Sequence, residues 1–292
     1  MRKVLVPVLL SIAVNFGACN FAKIVADNAP PMMDDQTLAF YRESSLKQAR
    51  EAAPALLKLL DGFIISSPDN EDLMIRGAAL YCGFALTLVE DEDPEYASSL
   101  YRHGYDYAIR ILAHKIEGLP ALLDGPVDKL SEALAGLDPD DVAPVFWAGG
   151  CLGGWMNLNL EDVEAMAEIP KVLAFIRRAA QMDDTYYYGG PHLFLGIFNG
   201  TMGKAFGGDP EASRAHFERL FKITKGKFLL GKVYFAKTYA VQTQNRALFE
   251  STLNEVLEAP QGDAPDLVMP NNAAKRKAEK LLEDVDDYFL DD

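Results

Sequence analysis

Cysteine and histidine are scarce: the 292 residues include only 3 Cys and 4 His. That is too few ligands for a zinc or iron–sulfur framework, and no metal or other cofactor is expected. Cations are also under-represented, with 28 Lys+Arg against 43 Asp+Glu and a net charge of −15. A surface so poor in positive charge lacks the face that nucleic-acid phosphates need, so nucleic acid is excluded as a partner. It equally lacks an electrostatic grip on anionic lipid. Period-two runs of β-branched residues are missing, which argues against a sheet. So are His-Glu-x-x-His, Gly-x-Ser-x-Gly and a phosphate loop ending in Lys-Ser/Thr, which leaves catalysis the weaker hypothesis. What the chain does have is 49% hydrophobic and 24% charged residues, the balance of a globular protein with a continuous core.

The amino terminus reads as a processing signal. Met1-Arg2-Lys3 is followed by an apolar run from Val4 to Phe16, broken by Pro7 and Ser11. A membrane span needs roughly 20 apolar residues, so this run is a secretory h-region instead. Phe16-Gly17-Ala18-Cys19 then resembles a lipobox, in which Cys19 is lipidated and becomes the mature terminus. Residues 1–18 are therefore expected to be removed, 19–33 to act as a tether, and 34–292 to form the folded domain with an acidic tail. Asn20 is not the Asp that retains lipoproteins at the inner membrane of enteric bacteria, which favours the periplasmic side of the outer membrane. Loss of Arg2 and Lys3 takes the net charge to −17, so the lipid anchor alone is expected to hold the chain at the membrane. Cys82 and Cys151 remain. An oxidising compartment allows them to pair, but their apolar helical surroundings favour two buried thiols packed as small hydrophobes.

From Asp34 onward the pattern is helical. Ala97, Leu100, Tyr101, Gly104, Ala108, Ile111 and Leu112 recur at three- and four-residue steps and form one apolar stripe. Asp93-Pro94, Asp138-Pro139 and Asp209-Pro210 each supply an N-cap and a Pro preset for the first helical position. The fold class expected is all-α. The helices pair as hairpins: 72–90 with 94–114, 140–158 with 168–183, 187–203 with 210–225, and 229–243 with 245–258. Tetratricopeptide spacing is present in fragments, such as the small–aromatic–small series Ala97, Tyr101 and Gly104. Degenerate tetratricopeptide-like hairpins stacked into a compact superhelical repeat domain account for this, with an irregular bundle as the alternative.

The Gly149-Gly150-Cys151-Leu152-Gly153-Gly154 run has no Lys and no preceding strand, so it reads as close helix packing. His103, His114 and His216 have charged neighbours and read as solvated or capping. The informative cluster is aromatic: Tyr186-Tyr187-Tyr188-Gly189-Gly190-Pro191-His192. Together, Phe146, Trp147, Trp155, Tyr187, Tyr188 and His192 are the candidate lining of a groove for a partner or ligand, against the plainer reading that they fill core. His192 near Asp183 or Asp184 is the single hint of hydrolytic chemistry.

Several strings in order resemble the TatT family, tetratricopeptide proteins associated with TRAP (tripartite ATP-independent periplasmic) transporters. They include Ala53-Pro54-Ala55-Leu56-Leu57, Ser67-Pro68-Asp69-Asn70-Glu71, Leu100-Tyr101-Arg102, Val145-Phe146-Trp147, Ile169-Pro170-Lys171-Val172, Tyr187-Tyr188-Gly189-Gly190-Pro191-His192 and Ala215-His216-Phe217-Glu218-Arg219. The resemblance implies a non-enzymatic, lipid-anchored adaptor that partners the solute-binding subunit of a TRAP transporter. It further implies a small organic or apolar ligand and assembly as a homotrimer. No catalytic residue carries over. A tetratricopeptide scaffold for outer-membrane or cell-wall assembly is the alternative.

Overall fold

The computed structural model describes residues 17–260 and 264–289, with the side chains of 17–20 left out. Most of the expected signal segment and the side chain of Cys19 therefore lie outside the described residues, as do the last residues of the acidic tail.

Among the described residues the structure is α-helical with no strand, as the periodicity requires. Three helices precede the first hairpin: α1 (Gly17–Asp27), α2 (Pro30–Tyr41) and α3 (Leu46–Ser66). Residues 19–33, expected as a tether, thus fall in α1 and the first turn of α2, with a break at residues 28–29, and continue into the domain. The first hairpin joins α4 (Glu71–Phe84) to α5 (Pro94–Lys115). Short α6 (Leu119–Leu123) and α7 (Val127–Ala135) lead to α8 (Val142–Asn157). After α9 (Val163–Ala167), α10 (Ile169–Met182) packs back on α8. The second half holds α11 (Tyr186–Thr201), α12 (Pro210–Thr224), α13 (Leu229–Phe235), α14 (Arg246–Glu258) and α15 (Val268–Glu283). All four expected hairpins are present.

Local chemistry sets these boundaries. Asn70, Asp93, Asp209 and Asn245 each cap a helix by accepting a backbone N–H, and Pro94 and Pro210 follow two of the caps. Two first helices of hairpins end in a π-helical turn, Ala85–Val89 after α4 and Ala236–Ala240 after α13. Insertion of such a turn rotates the next stretch of chain about the helix axis and commonly serves a purpose. Here it carries Glu90 into the interior.

Helices α4, α5, α8 and α10 pack side by side over one apolar core, and α11 to α15 enclose a second. The segment Glu71–Val89 is long and apolar enough to cross a membrane by length and composition, yet about half of it is buried between α3, α5 and α8. Its apolarity has a local cause: one face builds core and another lines a cavity.

The glycine run in α8 does what close packing demands. A Cβ on Gly154 would stand 2.4 Å from the Tyr101 ring, and one on Gly149 would stand 2.8 Å from Phe175 and Ile176. Gly104 on α5 corrects the reading of the cysteines. Its missing Cβ leaves room for two sulfurs, 2.5 and 3.0 Å from where that atom would sit. Cys82 of α4 and Cys151 of α8 meet there as a disulfide, with Cα atoms 5.6 Å apart, in place of the two free buried thiols expected. Apolar burial fits either state, and the pairing depends on a glycine in a third helix.

Candidate functional site

Between α2, α4, α8 and the start of α11 lies a cavity of about 460 Å³, within the usual range for a small-molecule site. Helix α2 covers it with Thr37, Phe40 and Tyr41, and α4 with the π-helical turn that follows it supplies a wall from Ile75 to Thr87. Phe146 and Trp147 of α8, Tyr187 and Tyr188, and Met269 and Pro270 of α15 complete it. Gly83 faces the space, since a Cβ there would meet only the Tyr187 hydroxyl, at 3.7 Å.

The α11 wall is held in an uncommon backbone conformation. Tyr187, Tyr188 and Gly189 have φ of 46°, 60° and 76°, three left-handed residues in succession. For a tyrosine such a conformation costs on the order of 1–3 kcal/mol and persists only where its surroundings impose it. Those surroundings are visible. The Tyr187 hydroxyl shares a 2.5 Å hydrogen bond with that of Tyr41, and its ring meets Trp147 edge-on at 4.6 Å. Tyr188 stacks on Phe228 at 5.5 Å, and a Cβ on Gly190 would strike the Phe146 ring at 2.5 Å. Burial pushes the Tyr41 hydroxyl up to about 12 and that of Tyr187 well above its ordinary value, so both stay neutral.

Electrostatically the cavity is nearly blank. Of the residues that line it Arg76 alone is charged, although the chain carries 43 carboxylates. Arg76 reaches outward to exposed Asp34, while its buried Nε has no partner. Trp147 Nε1–H lies near the Tyr186 hydroxyl but at no regular hydrogen-bond geometry. Both nitrogens are sealed from the space, so the lining that a guest meets is aromatic and aliphatic, and such a chamber suits a molecule with an apolar body.

Four of the six expected groove residues are brought together here: Phe146, Trp147, Tyr187 and Tyr188. The other two are not. Trp155 lies two helical turns beyond Trp147 and about 80° around α8, and its ring is covered by the Arg102 guanidinium at 4.5 Å. His192 leaves the kink on another face, where its Nδ1 lies 2.9 Å from Nδ1 of His216 and its Nε2 3.3 Å from Asp184. Arg219 also binds Asp184. The expected proximity of His192 to Asp184 is therefore real, but its second nitrogen meets another imidazole rather than a hydroxyl or thiol. His103 is not merely solvated either: it stacks on Tyr81 at 4.3 Å. No group of three or more potential metal ligands occurs among the described residues.

The half-buried His216 provides a pH test. Burial first, then the neighbouring His192 and Arg177, lower it from 6.5 to about 4. The folded state thus resists a proton that the unfolded chain accepts, so stability is full above pH 6.5 and falls as pH drops toward 4. After solvent screening this amounts to about 1–2 kcal/mol. Asp184, lowered chiefly by Arg219, titrates below that window. We expect His216→Gln to flatten the dependence of urea midpoint on pH between 6.5 and 4; an unchanged slope would show that another group carries it.

Sequence reasoning missed the α2 cover, the α4 wall and the α15 contribution. Tyr41 and Tyr187 are 146 residues apart, and no local signal links them. The chain matches no curated protein. The family model of the TRAP transporter T-component does match, over residues 42–289, a span that takes in the α4 wall, the tyrosine kink and α15 alike, and on that match the chain belongs to the TRAP transporter T-component family.

Proposed function

We propose that this TRAP-associated protein is an accessory adaptor, anchored through Cys19 on the periplasmic side of the outer membrane, that takes up a small apolar or amphipathic organic ligand and presents it to the solute-binding subunit. The cavity carries this reading: a chamber of about 460 Å³ with aromatic walls and almost no charge in its lining. Binding, not bond-breaking, is the chemistry such a lining supports. Assembly as a homotrimer belongs to the same proposal.

Gly83→Phe tests it. The new ring enters open space on an α4 helix that gains propensity from losing a glycine, so the fold is retained. A dansyl-labelled fatty acid should bind the unsubstituted chain and lose at least about tenfold in affinity in the variant, because the ring occupies the volume the probe needs. Pull-down of the solute-binding subunit from the same genome reads the partnership separately. Equal probe affinity in both proteins would remove the cavity from the proposal, and absence of capture would remove the partner.

A further inference from the structure

Helix α1 leaves its apolar side uncovered. Phe21 is 69% exposed, Ile24 53% and Val25 43%, and Met32 at the start of α2 is 56% exposed. Steps of three and four residues place Phe21, Ile24 and Val25 on one face. The helix is not loose behind that face. Ala26 and Ala29 are buried, and Asp27 at its end accepts from Ser67 and Asn70 while Lys23 donates to both Asp27 and Ser67. These bonds lower the Asp27 carboxyl to about 2, so it stays ionised beside its lysine. Within residues 17–33, Lys23 and Asp27 are the only charged residues, and they neutralise each other. Met32 is followed by exposed Asp34 and Asp35, so the apolar, locally uncharged face of this chain of net charge −15 is that of α1, beginning two residues after Cys19.

We infer that this face, Phe21, Ile24 and Val25, rests in the interfacial layer of the lipid bilayer. The inference rests on the proposed lipidation of Cys19, because acyl chains on that residue would bring Phe21 to the headgroup level. Helical residues rise about 1.5 Å each, so no slack separates anchor from face. An amphipathic segment with little charge binds there through its apolar area, and the anionic body is no obstacle while the contacting face is neutral. The protein would then lie against the membrane with a fixed orientation instead of swinging on a linker. Helix α2, which covers the cavity, would lie next to the lipid.

Flotation of the mature chain carrying Cys19→Ser with phosphatidylethanolamine–phosphatidylglycerol vesicles tests the face without the lipid. Weak but measurable flotation is expected, reduced about tenfold by Phe21→Ser with Ile24→Ser, and reduced less by Val25→Ser alone. All three side chains are exposed, so circular dichroism should be unchanged; if the double variant loses helix, Val25→Ser still reports. No flotation, or equal flotation in all three proteins, overturns the inference. So does loss of an oligomer in the double variant, which would assign the face to a second copy of this chain. Mass spectrometry of native protein reads acylation of Cys19 independently: an unmodified Cys19 with flotation intact removes the anchor and leaves the face.

Discussion

Lys277→Met should lower the melting temperature by about 10 °C, corresponding to a loss of about 3–5 kcal/mol. The reason is the position of its partner. Glu90 is buried, and its two oxygens accept from the Tyr101 hydroxyl at 2.7 Å and the Tyr234 hydroxyl at 2.5 Å. Lys277 Nζ stands 3.2 Å from the same carboxylate and also binds Asp91, with its own side chain 9% exposed. Burial alone would push the Lys277 ammonium down, but the charges of Glu90 and Asp91 outweigh it and hold it raised. Burial and the Glu90 charge likewise keep Tyr101 and Tyr234 neutral, as donors. Methionine at 277 keeps the packing volume and leaves a carboxylate without its cation. Tyr101 belongs to α5, Tyr234 to α13 and Lys277 to α15, so the loss falls on the joint between the two halves. Glu90→Gln in the Lys277→Met background removes the stranded charge and should restore a large part of the stability. A thermal and urea double-mutant cycle measures this. A single-variant loss below about 1 kcal/mol would mean that water reaches the pair and screens it.

That joint illustrates what the sequence conceals. The hairpins are legible because their signals are local: Asp-Pro caps, three- and four-residue apolar steps, and glycines where helices touch. Residues 97–112 show one stripe in the sequence and one buried stripe in the structure. The joint has no such signature. Glu90 and Lys277 are 187 residues apart, and Glu90 reads as one acid among Glu90, Asp91, Glu92 and Asp93 until the π-helical turn aims it inward. The cavity is a mixed case. Phe146, Trp147, Tyr187 and Tyr188 stand out by composition, whereas Tyr41, Arg76 and Met269 reach it only through tertiary packing. Trp155 and His192 are misplaced by the sequence reading for one reason: nearness along the chain does not guarantee a shared face. Helical rotation separates the first from Trp147, and three left-handed residues turn the second away from Tyr187.

Charge shows the same split between count and placement. The excess of acid first suggests a body that avoids anionic lipid and depends on its acyl chains. In the folded chain the acids are absent from the cavity lining, and the exposed part of α1 carries a single lysine paired with a single aspartate. Net charge therefore describes the outer surface as a whole, not the two faces where apolar molecules would meet the protein.

The second large effect belongs to the disulfide. Cys82 and Cys151 close a loop of 69 residues, and removing such a constraint from the unfolded chain costs about 4 kcal/mol in the chain-entropy description. Cys82→Ala with Cys151→Ala should therefore lower the melting temperature by about 10 °C, and reduction of the unsubstituted protein should do the same. Alanine suits the site, because Gly104 leaves no space for a larger replacement beside α5. Before any melt, thiol titration of the denatured, non-reduced Cys19→Ser protein should give none. Two thiols there would overturn the bond and return both cysteines to small buried hydrophobes. The effect reaches the site as well. Cys82 lines the cavity and α4 is its longest wall, so the bond to α8 fixes the distance between that wall and Trp147. Once it is cut, the wall moves independently of α8, and the dansyl-labelled fatty acid should bind several-fold more weakly even at temperatures where the chain remains helical. Loss of affinity without loss of far-ultraviolet dichroism would assign the disulfide to the shape of the cavity; loss of both together would assign it to stability alone.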